Sequence, residues 1–288
     1  LRCTHVNFAN KYNNNLIKFK IDYLNSNYPY KSIKNVEPKL LEKYFVKKNK
    51  QLFLLSDEVI IDQSFYIPKG FKVIVKSNQK ISLINNAFII SNSPWIIGEK
   101  NGEVIITGEK NNLGGGILIS DSKELSKIQN TKVSYLAGYK SNLNSEFLIF
   151  GSLNFHQTNV EMNNVNFENI YSEDAINIFR SSFKINNSSY RNIQSDAIDI
   201  DFSNGEINSV KFENVKNDAI DFSGSEVNIY NSHFTNVGDK LISAGENSKI
   251  NIYKIKAFNS HAGIISKDGS EVYSRDIAFN GVLIPFAA

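Results

Sequence analysis

The sequence predicts an all-β solenoid, a parallel β-helix with rungs of about 22 residues, and three observations predict it. First, the pair Asn169-Ile170 returns at Asn192-Ile193, Asn214-Val215, Asn236-Val237 and, weakened, Asn259-Ser260, at steps of 23, 22, 22 and 23 residues. Second, an aromatic stands two positions before the first four asparagines: Phe167, Tyr190, Phe212 and Phe234. Third, the runs Asp174-Ala-Ile-Asn177, Asp196-Ala-Ile-Asp199 and Asp218-Ala-Ile-Asp221 follow the asparagines, and each unit opens on an alternating apolar pair such as Val227/Ile229. Short alternating runs between turn residues, with no helical period, read as strands. One such unit cannot bury its apolar side alone, whereas stacked units share a continuous core.

The elements follow in order. Residues 1–58 are expected to be an N-terminal cap or a linker from an upstream domain, and residues 59–288 the β-helix. Within the first part, Ile17, Phe19, Ile21 and Tyr23 alternate with Lys18, Lys20 and Asp22, the pattern of a half-buried strand. Pro38 followed by Lys39-Leu-Leu-Glu-Lys-Tyr-Phe-Val46 reads as a short amphipathic helix with proline in its first turn. An open rung exposes unpaired backbone, so a solenoid needs an atypical end. From Val59 to Thr107 short apolar runs continue, separated by turns such as Pro68-Lys-Gly70 and Asn85-Asn86. Gly114-Gly-Gly116 lacks the Gly-Lys-Ser/Thr of a phosphate loop and reads as a tight rung turn. The polar stretch Asp121–Thr131 is expected to interrupt the coil, and Val133–Asn144 to leave it as a loop. The stacked asparagines are read as structural, amides satisfying each other and the turn backbone at a buried corner.

Composition bounds the function. The net charge is +3, but residues 1–50 hold 11 Lys/Arg against 3 Asp/Glu, while residues 160–270 hold 10 against 15. The basic end has no arginine cluster and no nucleic-acid motif, so a solvated surface is expected and no nucleic-acid partner. No run of eighteen apolar residues exists, so no transmembrane segment is expected. Cys3 is alone, which excludes an intramolecular disulfide. The chain begins at Leu1 rather than Met and is expected to be a processed chain or a fragment.

The chemistry belongs to the aspartates. If Ile198, Ile200 and Phe202 face the core, Ala197, Asp199 and Asp201 face out, and the same parity puts Asn177 and Asp221 outward on the neighbouring rungs. Asn177, Asp199 and Asp221 should form a surface column, with Asp201 beside it. Asp174, Asp196 and Asp218, with Asp239 as a candidate fourth, should form another at the preceding turn. Like charges about 4.8 Å apart repel. A hard cation could bridge them, one carboxyl could take a raised pKa and serve as general acid, or water and lysines could screen them. Asp199, Asp221, Asp201 and Asp218 are the candidate catalytic residues. Asp199, Asp221 and Asp196 are the candidate ligands of a calcium ion. Arg180, Lys240 and Lys267 are candidate bases or counter-ions, and Tyr171 a candidate sugar platform. The turn aspartates could equally cap strands by accepting from nearby amides.

The segments Ser195-Asp-Ala-Ile-Asp-Ile-Asp-Phe-Ser-Asn-Gly205, Asn217-Asp-Ala-Ile-Asp-Phe-Ser-Gly-Ser225 and Gly238-Asp-Lys-Leu-Ile-Ser-Ala-Gly-Glu246 resemble the right-handed parallel β-helix, or pectate-lyase-like, superfamily. More narrowly they resemble a β-helix domain of bacterial surface proteins, some of which carry a spore-coat-kinase-like domain. The resemblance reaches upstream through Ile67-Pro-Lys-Gly-Phe71 and Ile81-Ser-Leu-Ile-Asn-Asn-Ala87, covering roughly Val59 to Ser270. It implies right-handed winding, an extracellular or cell-surface place, and a polysaccharide or surface-glycan partner. Hydrolases of the superfamily use outward carboxylates on adjacent rungs; lyases use acidic calcium sites with an Arg or Lys base. The usual lyase arginine pattern and the epimerase-type Asp-Pro-His-Asp string are absent here. The resemblance therefore implies either a polysaccharide lyase or hydrolase, or a non-catalytic module for glycan binding, adhesion or spacing.

Overall fold

The computed structural model describes residues 5–9, 16–20, 38–98, 101–139 and 149–288. From Gln51 onward the chain coils through three parallel sheets. The first sheet stacks Phe65–Ile67, Phe88–Ser91, Gly116–Ser120, Gly151–His156, Asp174–Phe179, Asp196–Asp201, Ile220–Ser223 and Lys240–Gly245. The second runs from Gln51–Leu54 through Lys72–Val75 and Trp95–Ile97 to Ser182–Asn186, Asn204–Asn208 and Glu226–Tyr230. The third runs from Glu58–Ile61 and Lys80–Leu83 to Ser189–Ile193, Lys211–Val215 and His233–Val237. This is the parallel β-helix that the period predicts. Parallel crossovers wind right-handed in nearly all proteins.

The register is one rung per repeat. Ile176 pairs with Ile198 and Ile198 with Ile220, and all three are fully buried. The aromatics that precede the asparagines stack inside, with centroids 4.8, 5.2 and 4.8 Å apart along Phe167–Tyr190–Phe212–Phe234. Tyr190 puts a hydroxyl into this column with no partner. A second internal column is made of hydroxyls at the corner between the first and second sheets. There Thr158, Ser181, Ser203 and Ser225 each donate a backbone N–H to the serine hydroxyl of the next rung, at 3.0–3.1 Å.

The asparagine ladder exists, but not in a buried corner. Asn192, Asn214 and Asn236 each donate Nδ2 to the Oδ1 of the previous asparagine at 3.0–3.1 Å, and these three side chains are exposed. The backbone decides the residue type: φ is 55–56° at Asn169, Asn192, Asn214 and Asn236. Asparagine enters this left-handed region with less strain than other non-glycine residues.

At the amino end, His5–Ala9 and Leu16–Lys20 pair antiparallel, and the helix Pro38–Tyr44 appears where the sequence places one. Ile21 and Tyr23 lie outside the described residues. The helix leads into Phe45–Lys48, which pairs antiparallel with Gln51–Leu54. Buried Tyr44 and Phe45 pack on the ring of Phe65, with centroids 5.3 and 6.0 Å away, and so close the apolar end of the first coil. The Tyr44 hydroxyl donates to Asp62 at 2.6 Å.

Two expectations change in the middle of the chain. The polar stretch from Asp121 does not interrupt the coil, because Ser126–Ser134 is a strand paired with Val160–Ile170. Its polar residues sit on the outward side or in the corner, with Ile128 and Val133 inside. The loop expected over Val133–Asn144 begins inside this strand, and its residues 140–144 lie outside the described residues. Gly115 lies tight against the preceding rung: a Cβ there would stand 2.7 Å from the Asn86 carbonyl oxygen and 2.8 Å from that of Ala87.

Candidate functional site

The outward side of the first sheet carries one register column: Tyr66, Ile90, Leu118, Asn154, Asn177, Asp199, Asp221 and Ser243. Its downstream half is polar, and three of those rungs present the fourth residue of an Asp-Ala-Ile-Asn/Asp run. Asn177, Asp199 and Asp221 therefore stand on consecutive rungs, with Asp201 two residues beyond Asp199 on the same strand. Ala197 departs from parity. It is fully buried with Ala175 and Ala219, because these alanines lie where strand meets turn; in the next rung the strand begins only at Ile220.

Hydrogen bonds orient the column. Asn177 donates Nδ2 to Asp199 Oδ2 at 2.8 Å, so its Oδ1 faces the Nε2 of His156, also at 2.8 Å. Amide oxygen accepts only, so His156 carries its proton on Nε2. Burial lowers the His156 pKa, which keeps the ring neutral in this role. Burial, with the charges of Asp201 and Asp221 adding, pushes the Asp199 carboxyl up to about 8. Asp201 is also raised, by burial first and then by Asp221 and Glu246. With Oδ2 engaged by Asn177, a proton on Asp199 belongs on Oδ1. Asp221 Oδ1 accepts from the N–H of Phe222 at 3.0 Å.

An aromatic edge borders this strip. His156, Phe179 and Phe202 follow one another with centroids 5.7 and 6.1 Å apart, in edge-on contacts. The Arg180 guanidinium lies 4.8 Å from the Phe179 ring and 6.0 Å from that of Phe202. Phe202 was expected inside. It follows the strand Asp196–Asp201, has φ 48° and is 51% exposed, so the chain has already turned the corner when it reaches this ring.

The turn column is built differently. Asp174 pairs with Asp196, and Asp196 Oδ1 accepts the N–H of Asp218 at 2.8 Å. Asp218 Oδ1 in turn accepts the N–H of Lys240 at 2.9 Å. The next member is thus Lys240, not Asp239; counted from the ladder asparagines, Asp196, Asp218 and Lys240 share one offset. Lys240 Nζ reaches both oxygens of Asp218 at 3.2 Å and also donates to Asp239. Burial pushes Asp218 up to about 6 against the opposing pull of Lys240. Asp174, 2% exposed, is pushed well above the usual carboxylate range by burial and then by Asp199 and Asp196, and its Oδ2 has no partner. Asp196 and Asp218 cap strands, and Asp218 is 4% exposed, so the turn aspartates are engaged in the turn while the charges of the two columns still act on each other.

Calcium gathers six to eight oxygens around a point. Asp199, Asp221 and Asp196 do not gather. The first two stand in a row along the coil axis, and Asp196 is committed to the Asp218 amide at the turn. Among the described residues no three His, Cys, Asp or Glu groups are placed to hold a metal ion. The raised pKa of Asp199 also relieves the crowding by a proton. The arrangement does not fit the expected cation.

Sequence reasoning missed the roles of His156, Phe179 and Phe202. His156 pairs in register with Phe179 but bonds diagonally to Asn177, and no period reports a diagonal contact.

No family model matches the chain, and no curated protein is similar in sequence. Among solved structures, a double mutant of the periplasmic alginate epimerase AlgG is 11% identical, with 86% of this chain and 82% of that chain covered and a TM-score of 0.46. PfbA, a surface adhesin of Streptococcus pneumoniae, is 10% identical over 78% of this chain and 85% of that one, with a TM-score of 0.23. The A-module of the Azotobacter vinelandii mannuronan C-5 epimerase AlgE4 is 10% identical over 78% and 88%, with a TM-score of 0.21. At such values the likeness carries no argument, and the fold rests on the chain's own strand pairing. Among the described residues no helix is long and apolar enough to cross a membrane.

Proposed function

We propose that this protein takes a polysaccharide along the outward side of its first sheet and hydrolyses it there, with Asp199 as general acid and Asp221 as the partner carboxylate. The observation that carries the reading is the register pair Asp199–Asp221, whose first member is proton-loaded near neutrality and aimed by Asn177. A general acid works best when its pKa lies near the working pH. Adjacent strands are about 4.8 Å apart, close to the roughly 5–5.5 Å between the carboxyls of retaining glycosidases. In this reading Asp199 Oδ1 gives its proton to the glycosidic oxygen as the C–O bond breaks, and Asp221 attacks the sugar carbon from the other side. Water then releases the glycosyl ester while Asp199 takes back a proton. Asp201 keeps Asp199 protonated through its charge. The exposed Phe202 ring and the Arg180 plane offer a flat apolar surface on which a sugar can lie. A polysaccharide substrate is most accessible at or outside the cell surface, where we place the protein.

The same aromatic edge also favours a second reading, glycan binding without turnover, since Phe202 needs no chemistry beside it to hold a sugar. Both are tested with parent, Asp199→Asn and Asp221→Asn on a broad polysaccharide panel, reading binding, reducing ends and anomeric configuration. Hydrolysis predicts retained binding, retention of configuration, and turnover lowered about 10²–10⁴-fold in each variant. Full turnover in Asp221→Asn would sink the hydrolase. Binding by the parent with no reducing ends released would leave the binding module.

A further inference from the structure

We propose that a second, separate site in the early rungs binds a phosphate or sulfate group. It is a cleft of about 440 Å³ where the turn ending at Lys50 meets the Pro68–Phe71 turn and the loop carrying Asp121–Glu124. Lys50, Lys69, Lys72 and Lys123 line it, while Phe71 and Pro94 supply an apolar floor. The coil itself brings the lysines together. Lys72 donates its backbone N–H to the Lys50 carbonyl at 2.8 Å, and Gly70, at φ 100°, lets the chain turn tightly between Lys69 and Phe71.

The charges are not balanced from within. Lys72 pairs with Glu124 at 2.9 Å, and Asp121 is the other carboxyl in the lining. Among the described residues no carboxylate lies in ion-pair range of Lys50, Lys69 or Lys123. Lys47 adds a further cation, 5.0 Å from the Phe71 ring. Exposed ammonium groups converging on one concavity raise the local concentration of anions. Lysine binds phosphate as a point charge, and several ammonium groups around one cleft suit a multiply charged oxyanion better than a singly charged carboxylate. Counted along the first sheet, its lining residues lie three to five rungs from Asp199, roughly 14–24 Å, and none of them is a proposed catalytic group, so it stands or falls apart from the hydrolytic reading.

The test titrates the full chain with inorganic pyrophosphate, and in parallel with dextran sulfate and uncharged dextran, by calorimetry. Parent protein should bind pyrophosphate and dextran sulfate, with affinity falling steeply from low to high salt. Lys69→Gln/Lys123→Gln should weaken both about tenfold, while Lys184→Gln/Lys211→Gln, on the other two sheets, should change neither. These side chains are exposed, so unchanged thermal unfolding identifies a loss of binding as local. Binding of dextran sulfate with none of pyrophosphate would assign the ligand to a polymer-borne ester, and the reverse to a free ion. Equal weakening by both double variants, equal affinity for charged and uncharged dextran, or no anion binding by the parent would each overturn the site.

Discussion

One column of side chains runs up the outside of the first sheet, and its two halves have opposite characters. Upstream, Ile90 and Leu118 are buried in an apolar cluster with Phe88 and Ile149, against which Tyr66 and Tyr139 pack. Downstream, Asn177, Asp199 and Asp221 take the same register positions, and among the described residues none of them is part of an apolar cluster. Backbone, pairing and rung spacing are alike in the two halves. The difference is one outward residue per rung and the chain that folds over it. A parallel β-helix thus has two cores available, one inside the coil and one that covering chain creates outside it. Where no cover is laid, the outward position is released for polar chemistry.

The largest effect should come from exchanging the two characters. Leu118→Asp would bury an unpaired carboxyl in the outer cluster and should cost about 3–5 kcal/mol. Asp199→Leu, the reverse change on the same column, should cost less, about 1–3 kcal/mol, because it removes a carboxyl already costly to ionise but leaves the buried Asn177 amide without its acceptor. Chemical denaturation of the two variants measures the contrast. Equal losses would mean that cover plays no part in setting what an outward position tolerates.

The next effect depends on pH and belongs to the downstream half alone. The folded-state pKa of Asp199 is about 8, above the ordinary aspartate range, so the folded protein holds a proton that the unfolded chain releases. The favourable contribution is complete below the unfolded value and is lost as pH rises toward 8. Asp174, Asp196, Asp201 and Asp218 are raised as well and act in the same direction. Stability should therefore fall between pH 5 and 8 by a few kcal/mol, and Asp199→Asn should flatten part of that slope. A parent whose stability is level or rises across this window would show that the strip is better solvated than its burial implies.

These contrasts also separate what sequence reading could reach from what it could not. The inner columns were legible, since a period repeated five times aligns Ile176, Ile198 and Ile220 whatever the turns do. The outward column was legible only downstream, where an aspartate among apolar neighbours declares its side. Upstream, Ile90 and Leu118 look like ordinary core residues, and only the fold shows that they pack on the outer surface. Errors gathered at corners. Ala197 and Phe202 broke strand parity because alternation ends where the chain bends, and Lys240 replaced Asp239 because composition drew attention away from the count. Among the described residues no three such groups gather for the expected calcium ion, for a related reason. Stacking multiplies identical groups along a line, whereas a cation needs different groups around a point.

The smallest predicted effect concerns a column that resembles the aspartate strip in its stacking and differs from it in purpose. The asparagine ladder is exposed and hydrogen-bonded along its length, yet φ of 55–56° accounts for its residue type without any ligand. Asn214→Ala should cost about 1–2 kcal/mol, combining the strain of a Cβ in the left-handed region with two exposed amide contacts. Asn214→Gly removes the same contacts and relieves the strain, so it should cost clearly less. If glycine and alanine are equally destabilising, the amide contacts carry the ladder and the backbone account is wrong. If neither matters, the ladder follows from rung geometry, and exposed stacking along this solenoid is no guide to stability. In that case the outward aspartates differ from it because they are half-buried and crowd like charges together, not because they form a column.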